Sequence, residues 1–166
     1  MMRNNVLLFL LIFFLVLTSC DPNRVFDGYQ AVPEKWHKDS IISFKITPPD
    51  STNTYNLFVN LRNNNAYKYN NLFLIVEMVF PHGKTLTDTL EYKMADPSGK
   101  FLGTGLMDIK ENKLWYKEGV IFKEKGDYQV NIQQAMRENG KVNGVTELEG
   151  ITDVGFRIEK PAKNTP

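Results

Sequence analysis

The residue best placed for covalent chemistry is Cys20, the only cysteine in the chain. It closes the string Leu17-Thr18-Ser19-Cys20, where a branched apolar residue and two small residues precede a thiol. That is the bacterial lipobox pattern. Small side chains let the peptide enter a signal-peptidase site, and a free thiol can take a diacylglycerol thioether. Upstream, Arg3 is the only charge in a short polar segment, and Val6–Leu17 is an unbroken apolar run of 12 residues. A helix needs roughly 20 residues to cross a hydrocarbon core about 30 Å thick. The run has instead the length of a signal-peptide h-region. The expectation is a signal sequence over residues 1–19, removed, and a covalent lipid on Cys20. A thioether-linked diacylglycerol with an N-terminal acyl chain such as palmitate would anchor firmly, since one acyl chain alone binds membranes only marginally. With a single cysteine, no intramolecular disulfide can form.

The other reactive residue types do not assemble into a recognisable catalytic site. His37 and His82 are the only histidines, too few for a nitrogen- or sulfur-rich metal centre. No Gly-x-Ser-x-Gly elbow occurs, and Cys20 is committed to lipid, which removes a Cys–His dyad. Asp108, Glu111 and Glu118 lie close in sequence, as a carboxylate pair for glycoside hydrolysis would. They alternate with Lys110, Lys113 and Lys117, so a salt-bridged surface is the preferred reading. Gly103-Thr104-Gly105 is too short for a phosphate cradle. The expectation is no enzyme, no cofactor apart from the Cys20 lipid, no metal and no small-molecule substrate.

Cleavage before Cys20 leaves 147 of the 166 residues, with 19 Lys+Arg against 19 Asp+Glu once Arg3 is lost. A neutral chain offers no basic field for nucleic acid. Its length suits one domain with a real core. Residues 20–38 are polar, with Pro22, Gly28 and Pro33 and no sustained period. They read as a lipidated tether with one possible docking strand, since Val25, Phe26 and Tyr29 could pack. Residues 161–166 read as a flexible tail.

Between them, residues 39–160 alternate with the period of half-buried strands. Ile42, Phe44 and Ile46 share a face, as do Tyr55, Leu57, Val59 and Leu61. So do Leu86, Leu90, Tyr92 and Met94; Tyr128, Val130 and Ile132; and Val154, Phe156 and Ile158. Leu72–Phe80 is apolar on both faces and reads as a central strand covered on both sides. The Pro and Gly of Phe80–Thr85 suit a tight turn into the next strand, giving a long antiparallel hairpin. Residues 95–109 read as loop with a short strand near Phe101, and residues 135–150 as a long exposed loop. Residues 110–118 suit helical turns or a strand edge. The fold class expected is all-β, a single antiparallel β-sandwich. Tyr128 sits where a tyrosine ties back to upstream backbone in immunoglobulin-like domains, which favours that topology over a jelly roll.

Several strings then occur in a fixed order: Asn60–Asn64 (NLRNN), Asn71–Met78 (NLFLIVEM), Phe80–Thr85 (FPHGKT), Asp88–Tyr92 (DTLEY), Asp108–Tyr116 (DIKENKLWY) and Gly150–Gly155 (GITDVG). In these, with the lipobox, the chain resembles the gliding-motility-associated lipoprotein H family (GldH). The resemblance implies a non-catalytic cell-envelope lipoprotein, with the outer membrane favoured, that supports gliding and the linked type IX secretion machinery. It implies membrane attachment through the lipid and partners among gliding and secretion envelope proteins, and it carries across no site residue except Cys20. The alternative is a surface glycan-binding sandwich used in nutrient capture. For either role the residues point to the aromatics of 108–118. Tyr116, rimmed by Lys113 and Lys117, is the expected partner contact, with Trp115 turned inward. Asp39-Ser40-Ile41, Asp50-Ser51-Thr52 and Asp88-Thr89-Leu90 also match a short O-glycan acceptor pattern.

Overall fold

The structure, a computed structural model, describes residues 21–33, 35–105, 107–138 and 140–162. The signal sequence, Cys20 and residues 163–166 of the expected tail lie outside the described residues. Among the described residues there is no helix. Ten strands carry the fold: β1 Arg24–Ala31, β2 Lys35–His37, β3 Ile42–Ile46, β4 Tyr55–Asn63, β5 Asn71–Val79, β6 Thr85–Lys93, β7 Lys110–Val120, β8 Tyr128–Gln134, β9 Glu147–Glu149 and β10 Ile151–Glu159.

Their pairings are nested and all antiparallel. β5 pairs with β6 across the Phe80–Thr85 turn, then β4 with β7, β3 with β8, β2 with β9 and β1 with β10. The chain runs out to that turn and returns along itself, as one long hairpin rolled up. Pairing of β10 with β4 and of β5 with β8 closes the roll. The sheets are β1-β10-β4-β7 and β3-β8-β5-β6, with β2-β9 as a separate ribbon. The expected all-β antiparallel sandwich is therefore present, and its strand order is that of a jelly roll.

That order corrects the immunoglobulin-like preference. An immunoglobulin sheet sets several sequence neighbours side by side, whereas here only β5 and β6 are both consecutive and paired. The tyrosine signal itself is real. The Tyr128 hydroxyl accepts from the Glu124 N–H at 3.0 Å and faces the Glu124 carbonyl at 3.3 Å. This bond is local to one strand entry and says nothing about which strands become neighbours.

Alternation builds the core. Leu57, Val59 and Leu61 of β4 and Val154, Phe156 and Ile158 of β10 are buried against Leu72, Leu74, Val76 and Met78 of β5 and Val130 and Ile132 of β8. Each such side chain contributes about 1.5–3 kcal/mol of transfer free energy. β5 is an interior strand, but only one of its faces is closed; Phe73, Ile75 and Val79 on the other are half-buried.

Two segments differ from expectation, and a third takes one of its two expected forms. Most of the 20–38 tether is structure: β1 forms the sheet edge on β10, β2 pairs with β9, and Trp36 is fully buried with its Nε1–H donating to the Ser40 carbonyl at 2.9 Å. The outer residues of β1 make polar rather than apolar contacts, so the strand has no apolar period to read. Its Tyr29 ring lies on Gly155, where a Cβ would approach within 2.9 Å of the ring. Of the two forms that residues 110–118 suited, the strand edge is the one present: residues 110–120 are the edge strand β7, not helical turns. The 135–150 loop holds buried Met136 and, in β9, buried Leu148.

Strand directions sort the connections into two ends. Residues 21–23 and 160–162 and the loops 47–54, 80–84 and 121–127 share the N-terminal end. The distal end carries loops 38–41, 64–70, 94–109 and 135–146.

Candidate functional site

β7 is where the sequence points, and as an edge strand it has two distinct sides. Glu111, Lys113 and Trp115 face outward; Asn112, Leu114 and Tyr116 face the opposing sheet. The register against β4 shifts between Leu57 and Phe58, so Lys117 pairs with Leu57 and Trp115 with Phe58. Such a bulge gives one strand an extra residue and re-aims its side chains. Here Tyr116 and Lys117 both reach the edge strand of the other sheet. The Tyr116 hydroxyl donates to Asp88 Oδ2 at 2.9 Å, and Lys117 Nζ lies 2.8 Å from the same oxygen. Nearby, the Tyr92 hydroxyl donates to the Trp115 carbonyl at 2.6 Å.

These bonds close the open side of the sandwich. Burial pushes the Tyr116 phenol well above its ordinary range, and the Asp88 carboxylate adds to it. Burial would raise Asp88 too, but hydrogen bonds from Lys117 and Tyr116 outweigh it and hold that carboxyl below its usual value. The Tyr116 ring packs edge-on to Phe156, 6.3 Å between centroids.

The expected roles of the adjacent aromatics are therefore reversed. Tyr116 is half-buried and tied to the far sheet, whereas Trp115 is 54% exposed. The expected rim is also split. Lys117 faces Asp88, while Lys113 lies on the outer face, 2.6 Å from both Glu159 oxygens and 4.1 Å above the Phe58 ring. Strand alternation decides this, and it applies only once the segment is known to be a strand.

The outer face of the first sheet forms a polar and aromatic surface around Trp115. The indole packs on Phe58 at 4.5 Å, and Phe58 itself is buried by that contact. Arg157 at the centre of β10 binds Glu159, Asp27 at 2.7 Å and Asp21. Tyr29 donates to Glu111 at 3.1 Å; Arg62 binds the same carboxylate at 2.9 Å and lies 4.4 Å over the Tyr29 ring. Burial, then Glu111, pushes the Tyr29 phenol up to about 12. The residues that sequence reading missed here are Phe58, Asp27, Arg157 and Glu159. Phe58 gave a signal, as an apolar residue on the polar face of its strand, whereas Arg157 sits at an ordinary polar position of the β10 alternation and gave none.

Other expected residues sit apart. His82 meets Glu124 at 2.8 Å across two N-terminal-end loops, and His37 caps Asp39 at the distal end. Of the three carboxylates, Glu111 is held by Tyr29 and Arg62, and Asp108 accepts from Asn65 at 2.9 Å. Among the described residues, no group of three or more His, Cys, Asp and Glu side chains could hold a metal ion. A distal cleft of about 700 Å³ lies between Asn70, Asn71, Glu91, Lys93 and Pro97 and contains no nucleophile–base pair. Ser40, Ser51 and Thr89 of the Asp-[Ser/Thr] triplets are exposed.

The family model described as GldH lipoprotein matches residues 24–158. That span begins at the first residue of β1 and ends one residue short of the end of β10. The chain belongs to the GldH lipoprotein family. Its relatives include a gliding motility lipoprotein GldH homolog of Christiangramia forsetii, 58% identical over 160 residues, or 96% of this chain and 98% of that one. The gliding motility lipoprotein GldH of Flavobacterium johnsoniae is 59% identical over 151 residues, 91% of this chain and 94% of its own. Among solved structures, a chain from a structure of infectious bursal disease virus, Gt strain, aligns at a TM-score of 0.38 and 11% identity. The alignment spans 87% of this chain but about a third of that chain's length, 33%.

Membership makes this a lipid-anchored cell-envelope protein. The strings that carry the likeness hold structural positions. Gly150 has φ +85°, and a Cβ there would collide with the Tyr67 amide nitrogen. The buried Asn112 side chain donates to Asn63 Oδ1 at 2.9 Å, joining β7 to β4.

Proposed function

We propose that this chain is a non-catalytic lipoprotein of the outer membrane that supports gliding motility and the linked type IX secretion machinery through protein–protein contacts. Lipid on Cys20 is its attachment. Relatives bearing the gliding-motility name support the cellular role. One observation carries the contact: Trp115 stands half-exposed on buried Phe58, in a surface whose charges are already paired. Interface centres favour an aromatic anchor of this kind, with polar groups that need no new partner around it. Lys113 and Glu159 form the rim, while Tyr116 and Lys117 belong to the fold.

The test is capture of partners from crosslinked envelopes by tagged mature protein. Truncating an anchor aromatic costs on the order of 2 kcal/mol or more, at least a tenfold loss of affinity. Trp115→Ala is expected to lose that much capture while thermal stability changes little. Unchanged capture would refute this contact. Competition by soluble oligosaccharides, rather than by envelope proteins, would favour the glycan-binding alternative.

A further inference from the structure

The chain's point of attachment is close to one end of the sandwich. Cys20 immediately precedes Asp21 in the sequence, and one trans peptide spans only about 3.8 Å between Cα atoms. Asp21 is not free to extend. Its carboxylate binds Arg157 of β10 and accepts the Asn23 N–H at 3.0 Å, and the Arg24 N–H donates back to the Asp21 carbonyl at 3.3 Å. Lys160, just past β10, donates its N–H to the Asn23 carbonyl at 2.9 Å. The attachment point is thus stitched to the ends of β1 and β10. The far strand of that sheet is three spacings away, roughly 14 Å. No leash remains to lift this end off a surface.

Charge separates the exposed groups at the same end. Asp21 is taken by Arg157. Asp50 accepts from Asn53, Thr52 and Tyr55 within its own loop. Glu124 is taken by His82, and Asp127 by Lys45 and Thr47. Lys84, Lys123, Lys125 and Lys160 are exposed there, and among the described residues none has a carboxylate within ion-pair distance; Lys38, Lys93 and Lys100 at the distal end are exposed and unpaired in the same way, so it is the attachment that selects which end meets the bilayer. Exposed Ile121 lies beside them. Exposed Leu86 also lies at this end; Trp115 is on the flank, and Ile41, Leu102, Met107, Ile109 and Val142 are at the distal end. The flank around Trp115 offers no comparable excess of positive charge, because Arg157, Lys113 and Arg62 are each matched by carboxylates.

We infer that the N-terminal end of the sandwich rests against anionic phospholipid headgroups, with Lys84, Lys123, Lys125 and Lys160 facing the phosphates and the distal loops directed away from the bilayer. Lysines near an anionic surface are attracted within about a Debye length, and the short attachment keeps these within that range. The inference rests on lipidation at Cys20, as proposed above.

The experiment uses the acylated full mature protein, purified from membranes and reconstituted into phospholipid vesicles with and without phosphatidylglycerol. Lysine acetylation is read by mass spectrometry on floated vesicles and on the same protein in detergent, and the acyl mass on Cys20 is read from the same sample. Expected is several-fold protection of Lys84, Lys123, Lys125 and Lys160 on anionic vesicles, with Lys38, Lys93 and Lys100 at the distal end unchanged. Trp36 is buried, so acrylamide quenching reports Trp115, and it should stay as accessible as in detergent. Lys123→Glu with Lys125→Glu should still float but lose the protection at Lys84 and Lys160. Acylated, floated protein with equal labelling at both ends, or with Trp115 shielded instead, would overturn the orientation while leaving lipidation intact. Absence of the acyl mass would overturn both.

Discussion

Gly83 at the N-terminal end and Gly150 at the distal end have the same backbone angle, φ +85°, and opposite surroundings. A Cβ at Gly83 would meet nothing within 4 Å, whereas one at Gly150 would meet the backbone of Ala66 and Tyr67. The contrast extends to the two ends as a whole. The N-terminal end has short loops that satisfy themselves: Asp50 caps its own turn, Tyr128 bonds the Glu124 backbone, and His82 meets Glu124. The distal end has the long connections, and there backbone must pass close to backbone, while Met107, Leu102 and Val142 stay exposed. Stability at the distal end therefore depends on a few close approaches, and at the N-terminal end on many replaceable hydrogen bonds.

The sharpest way to break this contrast is to add one methyl group at each glycine. Gly150→Ala combines left-handed strain with a collision that only backbone movement relieves, and should cost more than about 3 kcal/mol. Gly83→Ala carries the strain alone, about 1 kcal/mol. Equal midpoints in urea would show that the crowding at Tyr67 is readily relaxed.

The adjacent aromatics of β7 sharpen it next. Tyr116→Ala removes a half-buried ring and leaves Asp88 short of a donor, so a loss of about 2 kcal/mol or more is expected. Trp115→Ala gives up an exposed stack on Phe58, about 1 kcal/mol or less. Thermal melts of the two variants check the order, and a larger shift for Trp115→Ala would reverse the assignment of inner and outer residues.

The smallest effect is electrostatic and distal. Hydrogen bonds from Lys35 and Lys68 hold the Glu149 carboxyl at about 2, below its ordinary 4.5. A lowered carboxyl pKa stabilises the fold fully above the unfolded value and loses that contribution as pH falls through the folded one. Melting temperature should then decline between pH 4.5 and 2, and Glu149→Gln should flatten part of that decline. An identical slope in the variant would show that the clamp between β9 and the 64–70 turn adds nothing.

Much of the fold was legible. Alternation located β3, β4, β6, β8 and β10, and a continuous apolar run located β5; period two is a local property, although β6 only half-buries Leu90 and Tyr92 on its inner face. β1 was legible only as one possible docking strand of a tether, and β2 not at all; the β1 residues Asp27 and Tyr29 answer Arg157 and Glu111, partners more than 80 residues away in the chain for each pair. β7 was readable only as ambiguous. Its lysines suit an exposed edge, and its bulge breaks the period just after Tyr116, so that Lys117 turns to the same side.

The sequence by itself determined the lipobox, the all-β class, the central hairpin and the family, because each rests on residue order over short spans. Only the tertiary structure decided the nested pairing that makes a jelly roll, the inward turn of Tyr116 and the outward turn of Trp115, and the missing leash. Period two says which residues share a face, but not which strand lies beside it. That choice is made by long-range burial and by pairings such as Arg157 with Asp27, which exist only when the ends of the chain come together.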